Sequence, residues 1–303
     1  MAKSRNTGLR RGNGLGAGIA LLLCSAFSST PLAAQTVAAS PPATATANIN
    51  ITPRRVVFDR SKRTAAVYVF NQGNAAATVD VALIDNVMLP TGEIVPISRI
   101  SEKGPEAVAA AATVRSAKPL IIAAPSRLTL PPGQGRTIRL RADLPETAEA
   151  GEFRTHLTVT TVPPRDTGLT ADEAAAAQSG QLMFRIQSIF GLSIPLIVRN
   201  GEPSATVSLG PIAAGQEAGK PVLEVTVRRQ GPASVYGDIE ARVGKSEVVG
   251  LIRGLGVYPE LAERYAKVPL TRPLRKGETV TVTYFGENGR LGRPLASGSF
   301  TAP

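Results

Sequence analysis

From Asn48 onward the chain is written in short apolar runs, each closed by Gly, Pro or Asn, and this rhythm constrains the fold more than any single motif. NINITPRRVVF, AAVYVFNQG and AAATVDVALIDNVMLP are rich in Val, Ile and aromatics, the side chains that suit a pleated, half-buried surface. In LTLPPGQGRTIRLRADLP, Leu128 and Leu130 alternate before a glycine turn. Ile138, Leu140 and Ala142 alternate after it, with Arg139 and Arg141 on the other face. This reads as a hairpin with one face inward and one wet. Helical periodicity is almost absent, so the pattern predicts an all-β protein of two β-sandwiches.

Strand language is interrupted twice. Residues 101–118, SEKGPEAVAAAATVRSAK, read as an insertion holding one short helical turn with no apolar stripe to bury. The polar, alanine-rich PRDTGLTADEAAAAQSGQ reads as a mobile loop. It leads into LMFRIQSIFGLSIPLIVR, the longest apolar strand candidate, in which Leu182, Phe184, Ile186, Phe190, Leu192 and Ile194 share one parity, broken at Ser188. By pattern alone this is ordinary core, or a strand that runs past its own sheet and offers side chains to a partner. Turn formers at 200–204 mark the boundary between an N-terminal domain over 48–200 and a C-terminal β-sandwich over 201–303. Pro53 predicts that the first strand lies at an edge or contains a break.

The start of the chain is of another kind. Four basic residues and no acid precede the apolar stretch from Leu15 to Phe27, which is shorter than the roughly 20 residues that span a bilayer. Small residues at Ala33-Ala34 follow. Residues 1–34 therefore read as a signal peptide cleaved after Ala34, and residues 35–47, QTVAASPPATATA, as a flexible leader. A lipoprotein reading would use Cys24, but Leu23 before it is too bulky for that recognition. Cys24 is the sole cysteine, so the exported chain has no thiol and hydrophobic burial must hold the fold. The chain has 34 basic and 23 acidic residues; with four basic residues leaving in the signal peptide, 30 against 23 leave +7.

That charge suits acidic partners or an anionic surface, and export argues against nucleic acid. Catalytic groups are scarce. His156 is the only histidine, which removes histidine-based metal sites and, with Cys24 gone, a Cys-His pair. No G-x-S-x-G and no phosphate-binding Gly-Lys-Ser/Thr occurs. His156 shares a strand face with Arg154 and reads as structural or surface. No cofactor, metal or small-molecule substrate is expected. An exported enzyme is the weakest class.

Several of these stretches resemble the periplasmic pilus chaperones of the chaperone-usher pathway: ITPRRVVF, VYVFNQG with its Asn, APSRLTLPPGQGRTIRLRADLP, GEFRTHLTVTTVPP, and GLSIPLIVRNG at the hinge between domains. The resemblance spans most of the chain after the leader. It implies two immunoglobulin-like domains in a boomerang, a periplasmic location, and capture of pilus or fimbrial subunits for delivery to an outer-membrane usher. Subunits of that family lack their last strand, and the chaperone lends one by β-augmentation. Leu182, Phe184, Ile186 and Phe190 would then be donor-strand side chains.

The resemblance also implies a cationic anchor for the subunit's terminal carboxylate. Arg55 matches the family's first-strand Arg, with Arg54 as its neighbouring substitute. The family's second cation, a Lys near the end of the donor strand, is missing: aligning on Arg199 puts Pro195 there. Arg185 or Arg199 would have to replace it, or the subunit is anchored differently. The alternative from another class is a structural or adhesive cell-surface protein of tandem β-sandwiches.

Overall fold

The computed structural model describes residues 47–163, 189–287 and 293–303. The signal peptide, its cleavage site and the leader up to residue 46 lie outside these residues, as do Leu182, Phe184, Arg185 and Ile186.

The first sandwich begins with β1 (Ile49–Thr52) and β2 (Val56–Phe58), continues through β3 (Thr64–Asn71) and β4 (Ala77–Ile84), and is then interrupted. The interruption holds a small ladder of β5 (Asn86–Met88) with β6 (Ile94–Pro96), a 3-10 turn, and α1 (Pro105–Ala112). β7 (Ile121–Ala124), β8 (Arg127–Leu130), β9 (Gly135–Ala142), β10 (Gly151–Val162) and β11 (Gly191–Asn200) complete it. One sheet has the order β1-β3-β9-β7, the other β2-β11-β10-β4-β8. Inward residues of both, among them Phe58, Val67, Leu130, Ile138, Leu157 and Leu196, form one core. The break near Pro53 is where the chain leaves one sheet (β1) for the other (β2).

LTLPPGQGRTIRL is a crossover between sheets and not the hairpin expected. β8 pairs with β4, while β9 lies between β3 and β7 in the opposite sheet. Pro131 and Pro132 have no N–H to extend a shared ladder. Gly133 supplies the positive φ of 67° at which the chain turns across, and donates its N–H to the Asn71 carbonyl at 2.9 Å. The Asn71 side chain, almost wholly buried, donates to the Ala75 and Leu130 carbonyls and accepts from Asn48 and Gly73. It ties the β3–β4 turn to the crossover. The inward and outward faces are as read: Ile138, Leu140 and Ala142 are buried, Arg139 and Arg141 exposed.

The insertion likewise holds more than one helical turn. α1 has eight residues, with Pro105 at its start, and buries Ala107 and Ala111, four apart on one face, against Val87, Val95 and Ile100. Two alanines suffice as a stripe because the cluster they meet is small.

The second sandwich comprises β12 (Thr206–Glu217), β13 (Lys220–Gln230), β14 (Val235–Val243), β15 (Glu247–Val257), β16 (Glu263–Pro269), β17 (Thr279–Phe285) and β18 (Pro294–Thr301). Its sheets are β12-β13-β16 and β15-β14-β17-β18. Leu223, Val227, Ile239, Val282 and Tyr284 centre its core, and the Tyr284 hydroxyl donates to the Leu255 carbonyl at 2.8 Å. Met88, from β5 in the insertion, is buried in this second core. Tyr265 of β16 donates its backbone N–H to the Pro90 carbonyl at 2.7 Å. The insertion thus ties the two sandwiches together.

Candidate functional site

Two features converge on β11: the junction between the sandwiches at one end and, at the other, an edge with no partner strand among the described residues. β2 runs parallel to β11 with Val56 beside Leu196 and Phe58 beside Val198, all four in the core. Alternation therefore turns Arg55 and Val57 to the outer face, and the same register sets Arg55 beside Pro195. Pro195 stands opposite His156 on β10, and Ile197 opposite Arg154. Glu152, Arg154 and His156 thus form one outer row, and Pro195, Ile197 and Arg199 the next.

The second sandwich covers part of this face. Arg154 Nη2 donates to Glu260 Oε1 at 2.6 Å and to the Asn86 carbonyl at 3.0 Å, and its guanidinium lies 3.7 Å from the Tyr258 ring centre. Glu260 Oε1 also accepts the Met88 N–H at 2.9 Å. Glu152 Oε2 accepts from the Ser234 N–H and hydroxyl at 3.1 and 3.0 Å, and from Arg199 Nε at 3.2 Å. Arg229 donates to the Leu261, Gly231, Ala233 and Pro259 carbonyls, pinning the loops that present Ser234 and Glu260. Burial, reinforced by the Arg154 charge, depresses His156 from its usual 6.5 to about 3, so the ring is neutral in this stack. Burial likewise pushes the Tyr236 and Tyr258 phenols up.

Arg55 stands at the rim of this junction. Its guanidinium lies 3.8 Å from the centre of the Tyr236 ring, and Nη2 donates to Glu287 Oε1 at 2.9 Å. Arg54 is exposed and makes no hydrogen bond or ion pair among the described residues. Arg199 pairs with Glu152, four residues along β11 from Pro195, or about 13 Å at strand rise. The structure does not bring it to Arg55. No second cation joins Arg55 among the described residues.

The inward parity of β11 grades from buried to exposed: Ile194, Leu196 and Val198 are buried, Leu192 is half-buried, and Phe190 is 59% exposed. Phe190 extends the β10 ladder, its N–H donating to Thr161 Oγ1 and its carbonyl accepting the Thr161 N–H, each at 2.8 Å. On the opposite flank β2 reaches only Leu196–Val198. Over 191–195 no described strand pairs with that edge of β11. Ile49, Val159, Phe190 and Leu192 line a groove at this end.

No family model matches the chain, and neither does any curated protein. Solved structures do, and they are chaperones. A structure of the YadV chaperone shares 14% identity over 84% of this chain and 98% of its own, with a TM-score of 0.42. The E. coli chaperone DraB shares 14% over 85% and 96%, at 0.41. The SafB chaperone of Salmonella enterica, solved with the SafA pilin, shares 12% over 86% and 98%, at 0.40. Likeness at this level decides nothing about individual residues, and the site rests on its own geometry.

The sequence singled out Arg55, which lies at the rim of the junction, and Phe190, which lies at the far end of β11, but did not point to Glu152, Glu260, Ser234 and Arg229 at the junction. A signal for Glu152 existed: GEFRTHLTV sets three polar side chains, Glu152, Arg154 and His156, in one row of a strand whose other row is mostly apolar, with Phe153, Leu157 and Val159 about a single Thr155. Such a row is normally solvated. What covers it comes from residues far along the chain.

Proposed function

We propose that the chain is a periplasmic chaperone that captures pilus or fimbrial subunits by β-augmentation along β11 and passes them to an outer-membrane usher. The observation that carries this reading is the edge of β11 over 191–195, which has no partner strand among the described residues, is continuous with an exposed Phe190 and ends beside Arg55. An extended segment added to that edge gains main-chain hydrogen bonds, and the Phe190 and Leu192 side chains supply its apolar contacts. Leu182, Phe184 and Ile186 continue the same parity in the sequence and would lengthen the donor row. Arg55, held on an aromatic face with N–H groups directed to its edge, suits a terminal carboxylate.

The activity is binding and folding assistance, and it draws on no catalytic group. The test is periplasmic co-expression with fimbrial subunits. A soluble one-to-one complex is expected with the native chain and none with Arg55→Ala, whose melting temperature stays near native because the side chain contributes no core atoms. Loss of a partner for a desolvated carboxylate typically costs about 2–5 kcal/mol of binding. Undiminished capture by Arg55→Ala would remove Arg55 from the site. Fractionation of the native chain with the outer membrane, without subunits, would favour the surface-protein alternative.

A further inference from the structure

We propose that Glu287 is a resident stand-in for the ligand carboxylate at Arg55, so that subunit capture proceeds by exchange of one carboxylate for another. This rests on the reading of Arg55 as the anchor. The Arg55 guanidinium lies over the Tyr236 ring, which occupies one face and leaves its N–H edge for an acceptor. Nη2 at that edge is bonded to Glu287 Oε1 at 2.9 Å, the geometry a terminal carboxylate would adopt. Arg55 precedes β2 of the first sandwich and Glu287 follows β17 of the second, so the acid reaches across the junction to the cation.

Charge counting decides what happens when a ligand arrives. Pro195 stands beside Arg55 in the β2–β11 register, and Arg199 is engaged by Glu152 farther along β11. If Glu287 stayed, one arginine would face two carboxylates, whose like charges repel at a shared cation. Glu287 therefore competes with the ligand for the Nη2 edge and yields it by swinging out. It can do so freely, because its side chain is 54% exposed and that of Arg55 26%. An exposed pair of this kind is weak, which is what a displaceable occupant requires. Glu287 thereby sets a threshold: a ligand holds the site only if its carboxylate binds Arg55 better than the resident one does.

Removing the resident charge should strengthen capture. Glu287→Gln should take a limiting subunit in preference to the native chain by about 2- to 5-fold, the range an exposed ion pair represents. Glu287→Lys should gain more, since it adds the cation that Pro195 does not provide. The native chain exchanges one ion pair for another, whereas Glu287→Gln forms a new one on binding. Its advantage should therefore shrink as salt is raised.

The experiment co-expresses differently tagged native and variant chaperones with one fimbrial subunit at limiting level and measures their ratio in purified complexes at low and high salt. A salt-sensitive excess of Glu287→Gln supports the exchange. An equal or smaller share for Glu287→Gln, with Arg55→Ala excluded from the complexes, overturns the stand-in and leaves the anchor intact. Full capture by Arg55→Ala overturns both. Absence of any complex with the native chain overturns the chaperone reading and this inference with it.

Discussion

Arg154 and Glu260 meet at 2.6 Å with side chains only 4% and 2% exposed, joining the central β10 of the first sandwich to the loop after β15 of the second. Glu260 also receives the Met88 N–H, and Arg154 also donates to the Asn86 carbonyl. Breaking such a pair from one side leaves a buried charge without its partner. Arg154→Ala or Glu260→Ala is expected to cost about 3–5 kcal/mol of stability. The double replacement by Met should recover much of that loss, because a buried ion pair is often no more stabilising than apolar groups of like volume. Urea unfolding of the three variants checks this. A single-variant loss below about 1 kcal/mol would show that the pair is solvated in solution.

His156 gives the junction a defined response to acid. Its folded pKa, about 3, lies below the unfolded value near 6.5, so the unfolded chain binds more protons between those limits. Stability is fully present above about pH 6.5 and is lost as pH falls toward 3. The slope implies a loss of about 2 kcal/mol between pH 7 and pH 5 from this residue alone. Glu278, held down to about 2 by Arg272, loses its contribution only below its unfolded value of 4.5. The two windows overlap between about pH 4.5 and 3, and above pH 4.5 only that of His156 is open. His156→Gln should flatten the stability profile between pH 5 and 7 and make the acid limb below pH 4.5 shallower without removing it. An unchanged profile would mean that the ring is hydrated and titrates normally.

The alternation in TIRLRA correctly assigned Ile138 and Leu140 to the core and Arg139 and Arg141 to solvent, because a period of two reports which face a side chain takes. It does not report which sheet the strand joins. Leu128 and Leu130 point inward whether β8 folds back on β9 or crosses to β4, and only the pairing with Ala77–Asp80 distinguishes them. The buried row on β10 was opaque for a related reason. A strand face bearing Glu152, Arg154 and His156 looks solvated unless its cover is known, and Glu260 lies 106 residues beyond Arg154. α1 was under-read because alanine is judged a weak core residue, although Ala107 and Ala111 fill their small cluster.

Met88 belongs by sequence to the first sandwich and by packing to the second. Its side chain, 3% exposed, sits in the cluster with Leu223, Ile239, Val257 and Tyr284. Met88→Ala should therefore destabilise the second sandwich by about 2–5 kcal/mol, through lost transfer energy and the cavity left behind. The chain has no tryptophan, and four of its five tyrosines, 236, 258, 265 and 284, lie in the second sandwich. Near-ultraviolet tyrosine dichroism during urea titration reads that region directly. A midpoint equal to that of the native chain would mean that the insertion detaches in solution.

The graded burial along β11 separates two kinds of substitution on a single strand. Phe190 is 59% exposed and Leu196 fully buried, though both lie on the same parity. Phe190→Asp sets a charge in water, so the melting temperature should stay near native, as for most exposed substitutions. In a subunit groove the same carboxylate would be desolvated beside apolar side chains, which costs several kcal/mol, and capture should be lost. Leu192→Asp, half-buried in the free chain, should lose capture with a moderate fall in stability. Leu196→Asp places an unpaired charge in the first core and should unfold that sandwich, since the penalty rivals a domain's total of about 5–15 kcal/mol. Phe184→Asp and Ile186→Asp are expected to behave as Phe190→Asp does. Thermal melting beside co-purification with a subunit orders the series. A collapse in melting temperature for Phe190→Asp would return this end of β11 to the core, whereas normal folding with normal capture would place the donor row elsewhere on the chain.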